Sequence, residues 1–349
     1  MVGPLQFPSR VSFEAGPLGK WNLNGIASGT ALWLNNPVPG NNTDQFAINN
    51  GQLMLQKSDG WWQIYVQAGA YNVVSLGTPY VSTQTAIDNL FGPVPVAYLK
   101  LAPAKNTSLM IGKLPTLLGD EYTFDFENIN IERGLLWNQT AAVTRGVQLN
   151  QTIGKFTASF SWNDGYYSSR YSALDGSLTY TNGAHSVTFI AGGNLSTTDW
   201  TTLATPIQNS GMLFDLIYTY TKGNWMVQPY VQQNSVPANP ALGALHGASA
   251  WGGAVLVNRN LGHGIALAGR WEYISTSGTV AQQSANLLFG PGSAAWSLTV
   301  TPTFQYKHFF TRGDVSYVRA LDYTPGSAFG LQGTNQGQTR GVIELGFIF

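Results

Sequence analysis

Five of the chain's 17 acidic residues, Asp120, Glu121, Asp125, Glu127 and Glu132, fall within thirteen positions, interleaved with Tyr122, Phe124 and Phe126. Carboxylates at that density can form an acid–base pair, hold cations, or set a transverse field across an aqueous passage when basic groups face them. A glycosidase pair such as Glu121 with Glu127 or Glu132 needs a fixed separation, which one loop does not supply. The field needs bases held opposite: Lys100, Arg270 and Arg340 are the candidates, with Arg133 and Arg145 placed to anchor the acidic segment. Tyr122, Phe124, Phe126, Trp137, Tyr166 and Tyr167 could stack on sugar rings, although aromatics on loops more often pack the loops together.

Other chemistry is thinly represented. Of His185, His246, His263 and His308, only His246 lies on a long connection, with no Asp near it in sequence, so a hydrolase would rest on that one residue. No phosphate loop, dinucleotide fingerprint or H-E-x-x-H is present. The absence of Cys removes disulfides, thiolate metal sites and Cys nucleophiles. A net charge of 0 leaves no electrostatic footprint for nucleic acid. The sequence therefore implies no enzyme, no cofactor and no metal.

The elements that must position the acids alternate with a period of two. Phe156, Ala158, Phe160 and Trp162 alternate with Thr157, Ser159 and Ser161, and Leu298, Val300, Pro302, Phe304 and Tyr306 with Thr299, Thr301, Thr303 and Gln305. Similar runs pass through Trp62–Ala68 and Trp225–Gln232, and no run has helical spacing. Short turn clusters at 58–60, 102–106, 152–154, 181–184, 221–224, 259–264 and 307–313 alternate with longer stretches at 35–45, 72–93, 114–143, 163–173, 193–208, 234–247, 276–292 and 322–338. That rhythm predicts sixteen antiparallel strands with short turns at one end and long loops at the other. Pro229 and Pro302 inside strands are the local objection, tolerable where a ladder is interrupted.

Only 10% of residues are charged while 13% are aromatic, and no stretch is apolar enough for a spanning helix. A sheet with one face in lipid and one in water satisfies both facts, and only a closed barrel pairs every backbone group there. Aromatics fall at both strand ends: Trp61, Phe156, Tyr180, Tyr220, Trp225, Tyr306 and Phe309 beside the short turns, and Trp33, Tyr71, Trp162, Trp251, Trp271 and Trp296 at the other. A soluble propeller would need blade repeats of about 40–50 residues, which are not seen. The final strand places Ile343, Leu345, Phe347 and Phe349 on one face, an ending of the kind that outer-membrane barrel-assembly machinery reads.

The chain also resembles the OmpL-like beta-barrel porins of Gram-negative outer membranes. The resemblance is carried by Gly112-Lys113-Leu114-Pro115, Gly119-Asp120-Glu121, Glu127-Asn128, Glu132-Arg133, Gly146-Val147, Asn163-Asp164-Gly165 and Thr301-Pro302, in that order. Asp314 stands where the resemblance implies Glu.

Together these readings predict one barrel domain over 1–349, with residues 1–19 as a periplasmic N-terminal segment and 114–143 as a constriction loop folded into the lumen. Strand parity points Lys100, Arg270, Glu272, Arg340 and Glu344 inward. The alternative is a loop lying outside, its acids bound to Ca²⁺, lipopolysaccharide counter-ions or water. No leader is visible at Met1-Val2-Gly3-Pro4, so export implies that one has been removed. The expected function is passive diffusion of small hydrophilic solutes or ions; a barrel sheathing a partner protein, or a hydrolase, is the alternative. Expected partners are outer-membrane lipids and lipopolysaccharide, the assembly machinery through Phe347 and Phe349, and two further copies in a trimer.

Overall fold

The computed structural model describes residues 3–8 and 10–349. Seventeen strands form one sheet. They are β1 (Val11–Glu14), β2 (Lys20–Leu34), β3 (Asp44–Lys57), β4 (Trp62–Tyr71), β5 (Val96–Ala104) and β6 (Thr107–Pro115). There follow β7 (Val143–Ile153), β8 (Phe156–Asn163), β9 (Ala173–Asn182), β10 (His185–Asn194), β11 (Met212–Lys222) and β12 (Trp225–Val236). The last are β13 (Ala248–Gly262), β14 (Ile265–Thr276), β15 (Ala294–Tyr306), β16 (Phe309–Asp322) and β17 (Gly337–Ile348). Each strand from β2 to β16 pairs antiparallel with the next, and β17 pairs with β2, closing a sixteen-stranded barrel. β1 extends the ladder on the edge of β2 beyond the end of β17, pairing Val11 with Leu23.

The alternation sorts side chains as lipid outside and water inside require. On β15, Leu298, Val300 and Phe304 are exposed outward while Ser297, Thr299, Thr301 and Thr303 are buried inward. Trp61, Trp225, Tyr306 and Phe309 lie exposed at the turn end, and Trp33, Trp162, Trp251 and Trp271 at the loop end. Tyr71 departs from the expected ring: it is wholly buried, its hydroxyl 3.1 Å from the Gly92 carbonyl and accepting the Phe91 N–H. Three two-residue turns, 154–155, 183–184 and 223–224, begin with glycines at φ of 60°, 62° and 59°, as a type II′ hairpin turn requires. Pro229 and Pro302 each keep their register with one neighbour, Val255 and Leu267, while on the other side the ladder breaks, between Ile217/Tyr230 and Tyr220/Val227 and between Val300/Val315 and Thr303/Arg312. A missing N–H thus falls where no pairing is asked of it.

Two departures alter the interior. The turn expected over 307–313 is only 307–308, because β16 begins at Phe309, so Arg312 is a strand residue facing inward. The segment expected to be periplasmic, 1–19, turns into the barrel over its first described residues, while Met1, Val2 and Ser9 of that segment lie outside the described residues. The Gly3 N–H donates to the Glu127 carbonyl at 2.8 Å, Gln6 and Gln305 exchange hydrogen bonds, and Phe7 packs edge-on against Phe126. At the loop end, Leu135, Leu136, Ile274, Leu287, Phe289, Val318 and Phe329 form an apolar core inside the ring.

Candidate functional site

Residues 116–142, between β6 and β7, fold into the lumen with the acidic run at their centre. An extended segment with no partner strand must find acceptors for its N–H groups. Carboxylates on the wall supply them. Asp314 Oδ2 accepts from Ile131 and Glu132, both at 3.0 Å, and Glu272 accepts from Leu135 at 2.7 Å and Leu136 at 3.3 Å. The approach is so close that a Cβ on Gly134 would lie 2.4 Å from Glu272 Oε2.

Wall arginines hold the loop's own carboxylates. Arg270 Nη1 donates to Glu121 Oε1 at 2.6 Å and to the Glu132 carbonyl at 2.8 Å. Arg340 donates to Glu132 Oε1 at 2.8 Å and to the carbonyls of Ser75 and Thr78, tying loop 72–95 to the same strand. Arg312 donates to the carbonyls of Asp125 and Asn128, with its Nη1 3.5 Å from Glu344 Oε2. Asn49 and Asn50 complete this corner by donating to Asp125 and Glu344. Arg270, Arg312 and Arg340 are each about 1% exposed, so this half of the lumen is closed to solvent.

The other half is different. A cavity of about 510 Å³ lies between the loop and β4, β5 and β9–β12, lined by Tyr65, Tyr98, Tyr122, Asp120, Glu121 and Glu127 among others, with no Lys, Arg or His among the described residues that line it. Gln228 donates to Asp120 Oδ1, whereas Asp120 Oδ2 is buried without a hydrogen-bond partner. Neither Asp120 nor Glu127 forms an ion pair among the described residues. Burial pushes both carboxyls up to about 7. Asp215, on the inward face of β11, accepts the Gly119 N–H at 3.0 Å and leaves Oδ1 unpartnered. Toward the turn end this cavity shares Thr219 and Gln228 with one of about 860 Å³, whose wall includes Gly3, Pro4, Gln6 and Pro8. Toward the loop end it shares Ala142 with one of about 390 Å³.

The residues singled out from sequence thus divide. Asp120 and Glu127 face the cavity; Glu121 reaches both the cavity and Arg270; Asp125 is sealed against Arg312, Asn49 and Asn50. Arg270 and Arg340 face inward as expected but clamp the loop instead of standing free. Lys100 is half-buried on β5, with no hydrogen bond or ion pair among the described residues. Arg133 does not reach the wall: its guanidinium is fully buried without a hydrogen-bond partner, 5.2 Å over Trp137, and burial lowers its pKa. Its backbone does the anchoring, pairing with Val74 and Leu76. Arg145 fastens the next loop, not 114–143, through Asp164 at 2.7 Å, Ser169 and the face of Tyr167. Phe347 stacks among His308, Phe309 and Phe349 on the outer face, and the Phe349 backbone exchanges hydrogen bonds with Gly25. His246 contacts the Gln282 carbonyl between two loops. Arg312 was missed because it lay in the stretch taken for a turn; its register opposite Glu344 is the signal that could have found it.

The family described as "Putative beta-barrel porin-2, OmpL-like" matches residues 18–349. No curated protein matches the chain. Among solved structures, it is similar to the outer membrane channel DcaP of Acinetobacter baumannii (11% identity, TM-score 0.62, all of both chains). It is similar to Salmonella typhi OmpF in complex with daunomycin (12% identity, TM-score 0.61, 98% of this chain and 100% of that one). A third is the trimer form of in-vitro folded Vibrio cholerae OmpT (10% identity, TM-score 0.59, 94% and 99%). At these identities the likeness is one of fold.

Proposed function

The chain belongs to the OmpL-like beta-barrel porin-2 family and is an outer-membrane porin; we propose that it passes small hydrophilic solutes and ions passively, with a preference for cations. The observation that carries this is the division of the lumen, in which loop 116–142 is clamped to one wall and leaves a carboxylate-lined cavity along the other. Solutes would enter past loop 72–95, cross the cavity beside Asp120 and Glu127, and leave past Thr219 and Gln228. No energy source is needed, because solutes move down their own gradient; low-dielectric walls and fixed carboxylates raise the local concentration of cations and so set the preference. A lumen filled by its own loops and by residues 3–8 supports small solutes over a guest protein.

The short turns and both termini would face the periplasm and the long loops the outside, in contact with lipopolysaccharide. The aromatic end around Phe347 and Phe349 would engage the assembly machinery, and the OmpT trimer supports a homotrimer. Conductance of the purified protein in a planar bilayer under a salt gradient tests the proposal. Small stable steps with a reversal potential on the cation side are expected; silence across repeated insertions would refute free diffusion.

A further inference from the structure

The cavity's lining is unusual in what remains available to a visitor. Its polar amides are already engaged, Gln228 with Asp120, and Gln67 with both Tyr65 and Gln52. A sugar, which needs paired donors and acceptors, finds no free amide, only single hydroxyls such as those of Ser177 and Thr219. A bare metal ion finds no cage either, since no group of three or more ligating residues gathers among the described residues. The charged and aromatic groups it presents are an unpartnered carboxylate oxygen on Asp120, the Glu127 carboxylate, and two stacked rings, Tyr65 and Tyr98, with centroids 5.5 Å apart and planes 21° apart. The lining also includes the apolar side chains of Leu118, Ile190 and Ile217, from the loop and from β10 and β11. At about 510 Å³ the space falls in the range of small-molecule sites, about 300–1,000 Å³.

We propose that this cavity binds organic cations carrying an apolar or aromatic body, arylalkylammonium ions being the type, and that it is where the lumen selects its solutes; the proposal rests on the porin function above. The ammonium would meet Asp120 and Glu127, while the body lies against the tyrosine faces and the aliphatic side chains. Cation–π attraction and a desolvated carboxylate act together there, as neither does for an inorganic ion that keeps its water. Asp215, with an unpartnered oxygen behind Gly119, adds negative potential from the wall.

The test uses the full chain in planar bilayers and in detergent, with 2-phenylethylammonium, the neutral 2-phenylethanol and the anion 3-phenylpropanoate as probes. The cation should block the current in a saturable way and bind in calorimetry, and the other two should do neither. Asp120→Asn with Glu127→Gln should weaken block and binding at least tenfold, and Tyr98→Leu several-fold, with heat-modifiable electrophoretic mobility reporting that each barrel is folded. If the double variant does not fold, Asp120→Asn alone and Tyr98→Leu carry the same comparison. Equal block by the alcohol, or affinity for the cation unchanged in the variants, would overturn the site while leaving the porin intact. A barrel that conducts nothing yet binds the cation through Asp120 would keep the site and remove free diffusion.

Discussion

Two halves of one lumen carry the same residue type and use it oppositely. Against β13–β17, β2 and β3, carboxylates meet arginines and backbone N–H groups and become structure: Glu121, Asp125 and Glu132 from the loop, Glu272, Asp314 and Glu344 from the wall. Against β9–β12, Asp120, Asp175 and Asp215 each keep an unpartnered oxygen. Glu121 shows how local the difference is, being one residue from Asp120 and paired at 2.6 Å with Arg270. Whether a carboxylate braces or filters is decided by the strand it faces, not by its place in the acidic run.

The comparison breaks most visibly if the clamp is removed. Arg270→Met would leave Glu121 and Glu272 buried without their cation, a loss of about 3–5 kcal/mol for a broken buried pair. Thermal unfolding in detergent should move down sharply, and unit conductance should rise as the loop leaves the wall. Arg340→Met should act the same way but less, since Glu132 keeps its hydrogen bond from Ser316 at 3.0 Å.

On the open side the expected effect is on selectivity. Asp120→Asn with Glu127→Gln should bring the reversal potential toward zero and leave stability the same or higher, because burial already disfavours both charges. Acid should do this without mutation. With both carboxyls pushed up to about 7, their ionised fraction falls as pH drops from 8 to 6, and cation preference should fade through that window. Glu121, next to Asp120, and Asp125, near Glu127, act in the same raising sense, while the positive amino terminus lowers both, the Gln228 hydrogen bond lowers Asp120, and the Phe124 backbone hydrogen bond and Arg133 lower Glu127. The smallest change is expected at Lys100: Lys100→Met removes an unpaired cation and should alter stability by no more than about 0.5 kcal/mol, while adding slightly to cation preference.

The barrel itself was legible because lipid outside and water inside impose a period of two on every strand, and the low charge with aromatics at both strand ends separates it from a soluble sheet, whose strands also alternate. Six of the seven short turns contain Gly or Asn, Lys307-His308 being the exception, and the parity of Arg270, Glu272, Arg340 and Glu344 follows from their strands. Once the loop is inside, its backbone obeys no period. Thus Arg133 looked like an anchor from its charge, whereas its main chain does the holding, and Arg145 looked like a neighbour of the acids although Asp164 claims it. Residues 3–8, short and Pro-bearing, carry no pattern that distinguishes a luminal position from a periplasmic one. Tyr71 has the composition of an interface aromatic, and only the folding of loop 72–95 over it makes it core.

The clamped loop also bears on how the barrel answers voltage. Its five carboxylates and Arg133 leave it with four net negative charges when all are ionised, inside a membrane where each charge carried across 100 mV changes the energy by about 2.3 kcal/mol. A potential that drives the loop toward one face pulls Arg270, Arg312 and Arg340 toward the other, and those arginines are fixed in strands. The field therefore works against short hydrogen bonds and ion pairs instead of swinging a free flap. Current should stay proportional to voltage until those bonds fail, and then change abruptly.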